Sequence, residues 1–478
     1  MERLKRIGQL GTHSASEIGE SRIGIGYEKL DRDIFDPEKA YDKVSVIGVK
    51  KIRLQSGWMK TERVRGVYDF AWLDRIVDEL LGRGMEPWLC LCYGNPLYTP
   101  LAVPVFGAVG CPPIDSEEAT AAWLAYVKAT VRHFAGRVTL YEIWNEPDCS
   151  YSWRHCETEE HDLLRNAREY GLFALATAQA IHAADPHAGT VGFALGHPER
   201  LSFVNTALAT GLYRELDYLS FHGYSVDDTA RVRLIGNLRA LTEYYNPAIR
   251  LIQGESGAQS RSDGAGAMHG YAWTPARQVT QLLRSMLIDL HEEVAFASYF
   301  STMDMVEALH GKLTDRASYL DWGYFGVLSA EFDENGRSTG EYREKPAYHA
   351  LSALAALFAG EVHRQSFAYV RECLPSRRVG GRDCTAGTVT ELGFALPGGR
   401  RAFAYWNAVP LLTSTYEGTI SYSFFGLDTR RIELVRLSDG AVFTLPDDMV
   451  SELPDGGVRF VNLPITHDPM VLVFGGAE

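Results

Sequence analysis

From residue 21 onward the chain repeats one alternation: a short run rich in β-branched and aromatic residues, then a longer run with apolar residues at helical spacing. That rhythm constrains the fold more than anything else in the sequence. Strands are expected at 23–27, 51–55, 87–93, 138–148, 190–195, 218–224, 250–257 and 295–300. Helices are expected between them at 37–47, 69–81, 115–134, 159–184, 201–208, 231–245 and 274–290, with a last one at 345–358. Asp115 with Glu118 three residues on reads as a capping box, Thr274-Pro275 as an N-cap followed by an N1 proline, and Asp185-Pro186 as a helix stop. Eight strand–helix pairs predict an α/β fold of the (β/α)8 barrel type, whose functional groups gather at the C-terminal ends of the strands.

After residue 360 the texture changes to short β-rich runs. Ser438-Asp439-Gly440-Ala441 and Asp455-Gly456-Gly457 read as turns between strands. The expected division is therefore a barrel over 1–360, with a short N-terminal extension at 1–20, and a β-sandwich accessory domain over 361–478. A length of 478 residues agrees, since it exceeds one ordinary core.

Charge narrows the partners. A formal net charge of −14 disfavours nucleic acid and anionic membranes, which both require basic surfaces. The N-terminus has early basic residues but no apolar run of signal-peptide length, and no later run approaches a membrane span, so a cytoplasmic chain is expected. The seven cysteines are odd in number and scattered, unlike a disulfide framework. Cys111, Cys149 and Cys156, with His155, fall on neighbouring loops where a structural zinc has room, but their spacing alone does not support one. No phosphate loop, serine elbow or H-E-x-x-H helix is present, and no cofactor is expected. A homo-oligomer is compatible with all of this.

Two of the eight strands end in a carboxylate. Residues 138–148 read V-T-L-Y-E-I-W-N-E-P-D, a buried-strand pattern that runs out at Glu146 where Pro147 has no N–H to continue a ladder. Residues 250–257 read R-L-I-Q-G-E-S-G and run out at Glu255 before a glycine. Taken alone, a strand-end glutamate beside proline is more often a surface residue. On the mouth of one barrel, two such carboxyls can share a site.

The run Tyr141-Glu142-Ile143-Trp144-Asn145-Glu146-Pro147 resembles the acid/base strand of the clan A retaining glycoside hydrolases. The family it resembles best is glycoside hydrolase family thirty-nine, the β-xylosidase and α-iduronidase family. Lys51-Ile52-Arg53, Gly66-Val67-Tyr68-Asp69-Phe70 and Lys345-Pro346-Ala347-Tyr348 add to the likeness, which covers most of residues 20–360. The resemblance implies a retaining β-glycosidase acting on small β-glycosides or oligosaccharides. Glu146 would be the general acid/base, with its pKa raised by burial and by Glu255, and Glu255 the nucleophile. It further implies that Asn145 bonds the sugar 2-hydroxyl, that Arg53 keeps Glu255 ionised, and that His222 and Tyr224 support the nucleophile. Tyr93, Asn95, Glu28 and Trp58 end strands three, one and two and are candidates to hold or stack on a sugar; Trp322, in the loop after strand eight, is another. Strand eight ends in Tyr299-Phe300 where many relatives carry tryptophan, so Tyr299 is the candidate for the sugar's floor.

Two other classes compete. A non-catalytic carbohydrate-binding barrel would not need both glutamates. A metal-dependent barrel enzyme such as a sugar isomerase needs clustered histidine and aspartate at strand ends, where only His222 is available.

Overall fold

The computed structural model describes residues 3–99, 102, 110–153, 162–307, 321–373, 378–379, 382–383, 389–427, 431–454 and 456–475. His155, Cys156, Cys384, Asp455 and the expected helix start at 159–161 lie outside them. In chain order, strand β1 is Lys5–Gln9 and the closed barrel is β2 Ile23–Gly26, β3 Lys51–Gln55, β4 Glu86–Leu91, β5 Leu140–Ile143, β6 Gly189–Leu195, β7 Tyr218–His222, β8 Arg250–Ser256 and β9 Ala297–Tyr299. The helices are α1 Tyr41–Ser45, α2 Trp58–Thr61, α3 Ala71–Gly82, α4 Glu117–Phe134, α5 Leu163–Ala184, α6 Leu201–Leu208, α7 Asp228–Tyr245, α8 Pro275–His291 and α9 Pro346–Leu357.

Local chemistry explains the boundaries. Ser116, one residue after the expected cap, accepts from Ala119 N and starts α4; Asp162 caps α5 on Leu164 N and Arg165 N; Thr274 caps α8 with Pro275 at its first position. The helix expected over 37–47 divides into a 3₁₀ turn, Pro37–Lys39, and the short α1. After β9 the chain makes an excursion that the sequence pattern did not announce. It contains a two-residue pairing of Met305–Val306 with Trp322–Gly323 and a hairpin of Leu328–Phe332 with Ser338–Glu344 before α9.

The barrel is filled in layers. At its base Trp88, Val191, Ile252 and Phe296 form an apolar plug. Above the plug the Arg53 guanidinium lies 5.6 Å from the Trp88 ring, and above that the strands open at their C-terminal ends. Among the described residues, no helix is long and apolar enough to cross a membrane.

The C-terminal region packs a seven-stranded antiparallel sheet against a four-stranded one around Phe403, Tyr422, Phe424, Phe460 and Leu472. The Ser438–Ala441 turn is present, with Gly440 at φ +71° and Arg436 opposite Ala441. β1 does not extend the barrel but pairs antiparallel with Ala441–Thr444, at the edge of the seven-stranded sheet. The sandwich thus takes strands from both ends of the chain. It is fastened to the barrel through α8, where buried Arg284 donates to the carbonyls of Asn407 (3.0 Å), Val409 (3.2 Å) and His467 (2.8 Å).

Candidate active site

Glu146 reaches the barrel mouth on a tightly folded loop. Trp144 and Glu146 both take left-handed backbones, φ +68° and +49°, a conformation that costs about 1–3 kcal/mol for residues with side chains and persists only where surroundings impose it. Here they do. A register shift in β6 aims the Ala194 carbonyl at Glu146 N (2.9 Å). The buried Asp148 carboxylate accepts from Gly196 N (2.9 Å) and His197 N (2.7 Å), Trp144 Nε1 donates to the Ser152 carbonyl (2.9 Å), and the Ser152 hydroxyl donates to the Asn145 carbonyl.

Arg53 organises the centre. It is fully buried and donates from Nε (2.8 Å) and Nη2 (2.5 Å) to Glu142, from Nη2 to Asn145 Oδ1 (2.8 Å), and from Nη1 to Glu255. Glu255 also accepts from the Tyr224 phenol (3.0 Å). His222 Nδ1 lies 2.8 Å from Glu146 Oε1 and 3.4 Å from Glu255 Oε2, so one imidazole bridges the two carboxylates. The Tyr151 phenol donates to the other oxygen of Glu146. Glu146, His222 and Glu255 each place one oxygen or nitrogen within 4.8 Å of the others.

These contacts correct one electrostatic expectation. Burial pushes the Glu146 carboxyl up, but the hydrogen bond and charge of His222, then the Tyr151 phenol, outweigh it and hold the group below its ordinary pKa. His222 shifts the other way. Burial lowers it, and the carboxylates of Glu255 and Glu146 raise it further than that. The site thus favours the carboxylate form of Glu146 and the protonated form of His222, 2.8 Å apart.

The three potential ligands in this cluster do not form a cation site. A guanidinium already faces Glu255, and a phenol and an imidazole donate to Glu146, so positive charge and protons stand where a metal ion would have to sit. Cys149 is buried beside Gly196 and the Asp148 carboxylate, and Cys111 is buried next to Ala102 and Met59.

The residues brought together are thus Arg53, Asn145, Glu146, His222, Tyr224 and Glu255. Others expected to touch sugar are placed elsewhere. Trp58 follows Gly57 (φ +59°) into α2, where its ring is 0% exposed between Tyr98 and Trp123 and its Nε1 donates to Glu62 (2.6 Å). Asn95 spends its amide on its own loop, donating to the Glu62 carbonyl (2.9 Å) and accepting from Leu97 N (3.0 Å). Tyr299 turns out of the barrel to α8, where its hydroxyl accepts from Gln278 (3.1 Å). Phe300 and Phe325 instead pack edge-on to Tyr224. Glu28 lies behind Arg53 with both oxygens sealed from solvent, so no sugar hydroxyl reaches it. Tyr93 is 4% exposed and accepts from Gln55 (3.2 Å), with its ring against Trp144. Trp322 stays partly exposed at the rim, tilted on Phe332.

Four side chains that the sequence did not single out belong to the same neighbourhood: Glu142, Tyr151, Lys29 and Glu307. Lys29 and Glu307 pair at 2.8 Å on the wall beside β9, and burial, then Glu255 among its neighbours, raises Glu307 against the pull of Lys29. For Glu142 a signal existed: a charge inside an apolar strand needs a buried partner, and Arg53 is the cation at the facing level.

The profile of glycosyl hydrolases family 39 matches residues 39–253. The chain is similar to a family 39 glycoside hydrolase from the gut symbiont Bacteroides cellulosilyticus, with a TM-score of 0.64, 16% identity and coverage of 95% of this chain and 81% of that one. Residues 39–253 thus resemble the family 39 glycoside hydrolases in sequence, and the chain shares the fold of a solved member.

At 16% identity the structural likeness establishes the fold. In sequence this family 39-like chain is 28% identical over 180 residues to a β-xylosidase of Geobacillus stearothermophilus (36% of this chain, 30% of that protein). It is 38% identical over 82 residues to the β-galactosidase BgaA of Clostridium cellulovorans (16% and 12%). The matches thus span less than a third of either relative's length. Glu146 lies inside the profile match and Glu255 two residues beyond its end, so the pairing of the two in this family 39-like chain rests on geometry.

Proposed function

We propose that this protein is a retaining β-glycosidase for small β-glycosides or oligosaccharides, with Glu255 as nucleophile and Glu146 as general acid/base. The observation that carries the reading is the carboxylate separation. Their oxygens approach within 4.8 Å, on the short side of the ranges that distinguish a direct attack, about 5–5.5 Å, from one with an intervening water, about 6.5–9.5 Å. The xylosidase and galactosidase names of the relatives support a neutral pyranoside as substrate.

In this reading Arg53 and Tyr224 aim the Glu255 carboxylate at the anomeric carbon, and Phe300 and Phe325 limit the depth of the pocket below Tyr224. The leaving oxygen takes its proton from Glu146, which receives it from the His222 imidazolium along their 2.8 Å bond. Glu146 and His222 then titrate as one pair and not as two independent groups. Once Glu255 is esterified its negative charge is gone, which lowers His222's hold on a proton. Glu146 then serves as base toward water.

The test is a panel of nitrophenyl β-glycosides (xyloside, galactoside, glucoside, mannoside, fucoside, arabinoside), with product anomers followed by NMR. A 2-fluoro glycosyl fluoride of the best sugar should label Glu255. Inversion at the anomeric carbon, or a label on another carboxylate, rejects the assignment.

A further inference from the structure

Behind the nucleophile three buried carboxyls converge on one guanidinium. Glu142 takes Nε and Nη2 of Arg53, and Glu255 takes Nη1. Glu28 stands third, 3.5 Å from the same Nη1, and neither of its oxygens has a hydrogen-bond partner among the described residues. It is 1% exposed and folded back over Gly26, where a Cβ would strike its carboxyl at 1.9 Å.

The charged groups that act on Glu28 are Glu255 on β8 and Arg53 on β3. Lys29, next in the chain, is turned to Glu307 after β9, while Glu142 on β5 lies across the guanidinium and His222 on β7 touches the far oxygen of Glu255. A carboxylate there would have only the Arg53 guanidinium, 3.5 Å away and already bonded to Glu142, Asn145 and Glu255. Burying such an ion costs far more than burying the neutral acid. Four of the five Arg53 N–H groups are already committed, two to Glu142 and one each to Asn145 and Glu255, so an ionised Glu28 draws on the same Nη1 that holds Glu255.

We propose that Glu28 is a titratable positioning residue: it stands neutral behind the nucleophile in the working enzyme, leaving Arg53 Nη1 to Glu255, and on ionising it competes for that nitrogen and disables the attack. The proposal rests on Glu255 being the nucleophile. Burial, then the Glu255 carboxylate, raises the Glu28 pKa to about 8, so the switch falls within the range of an ordinary pH profile. It acts through Arg53 and Glu255 and touches no substrate.

The test uses the full chain with glutamate labelled with ¹³C at Cδ. The carboxyl resonance missing from Glu28→Gln is that of Glu28, and its titration midpoint should lie near pH 8; a midpoint below about 6 overturns the proposal. In parallel, kcat/KM is followed against pH on p-nitrophenyl β-xyloside, or on whichever glycoside of the panel is cleaved fastest. Relative to its own value at pH 7, the wild type should lose about tenfold more than Glu28→Gln at pH 9, the slope of log kcat/KM steepening from −1 to −2 only in the wild type. Equal slopes in both proteins overturn it. If the amide variant does not fold, Glu28→Asp removes the same resonance and, keeping the acid, must keep the steep limb. If no glycoside is cleaved at all, the glycosidase reading fails, while the carboxyl midpoint still decides whether Glu28 is neutral.

Discussion

Glu146 carries two donors while it awaits a proton, and that arrangement makes specific demands. Replacing Tyr151 by phenylalanine removes a charge-assisted hydrogen bond of roughly 1.5–3 kcal/mol from the ionised form. The pKa of the Glu146–His222 pair should rise, and the alkaline limb of kcat/KM should move up by about one pH unit; a limb that stays in place would show that the phenol only packs. Glu146→Ala should lose roughly 10²–10⁴-fold on alkyl glycosides but keep a burst on dinitrophenyl ones, with azide relieving the stall and yielding a β-glycosyl azide. Equal losses on all leaving groups, with no burst, would remove Glu146 from the acid/base role. Glu28 adds a stability effect. A buried acid with a raised pKa contributes most below its unfolded value near 4.5, and that contribution is lost as pH rises toward 8. Melting temperatures of wild type and Glu28→Gln should therefore diverge between pH 5 and pH 8.5, in favour of the amide. At this scale, residues whose place follows from strand position were legible, and the structure brings them together: Arg53, Asn145, Glu146, His222, Tyr224 and Glu255. Trp58 and Asn95 were misread because side-chain direction there is set by a left-handed glycine and by a loop's own hydrogen bonds, neither of which leaves a periodic trace.

Among the elements, the β5 and β6 ends act as one unit. Gly196 has no room for a side chain: a Cβ would lie 2.5 Å from Cys149 Sγ and 3.0 Å from Glu146 Cδ. Gly196→Ala should displace the acid/base by a fraction of an ångström to an ångström, lowering kcat by roughly 10²-fold with the melting temperature moved by only a few degrees. A large melting shift with kcat preserved would place the strain elsewhere. The barrel strands were readable because their runs are apolar, short and bounded by turn residues. The excursion after β9 was not. Its hairpin strands are polar and mostly not buried, without the apolar runs that mark the barrel strands, and Glu307 looks like any loop acid in the sequence.

For the molecule as a whole, the sandwich and barrel share a buried polar seam. Arg284 is 2% exposed and holds three sandwich carbonyls, with Asp228 at 3.7 Å, so Arg284→Met removes donors from buried carbonyls and leaves the Asp228 charge less compensated. Such a loss costs roughly 3–5 kcal/mol, and calorimetry should show unfolding of the variant moved down, or split in two, relative to the wild type. An unchanged thermogram would mean that the seam holds by apolar contact alone.

The pairing of β1 with Ala441–Thr444 also sets a schedule. Gln9 faces Ala441, 432 residues later, and elongation at about 5–20 residues per second separates their emergence from the ribosome by roughly 20–90 s. Through that interval the barrel can close while the first strand waits, unpaired, for an edge not yet made. A nascent chain arrested near residue 360 should therefore expose Lys5–Gln9 to protease while β2–β9 resist. In the finished protein that short ladder ties Gln9 to Ala441, 432 residues further along the chain, so that its protection reports whether the seven-stranded sheet has been assembled.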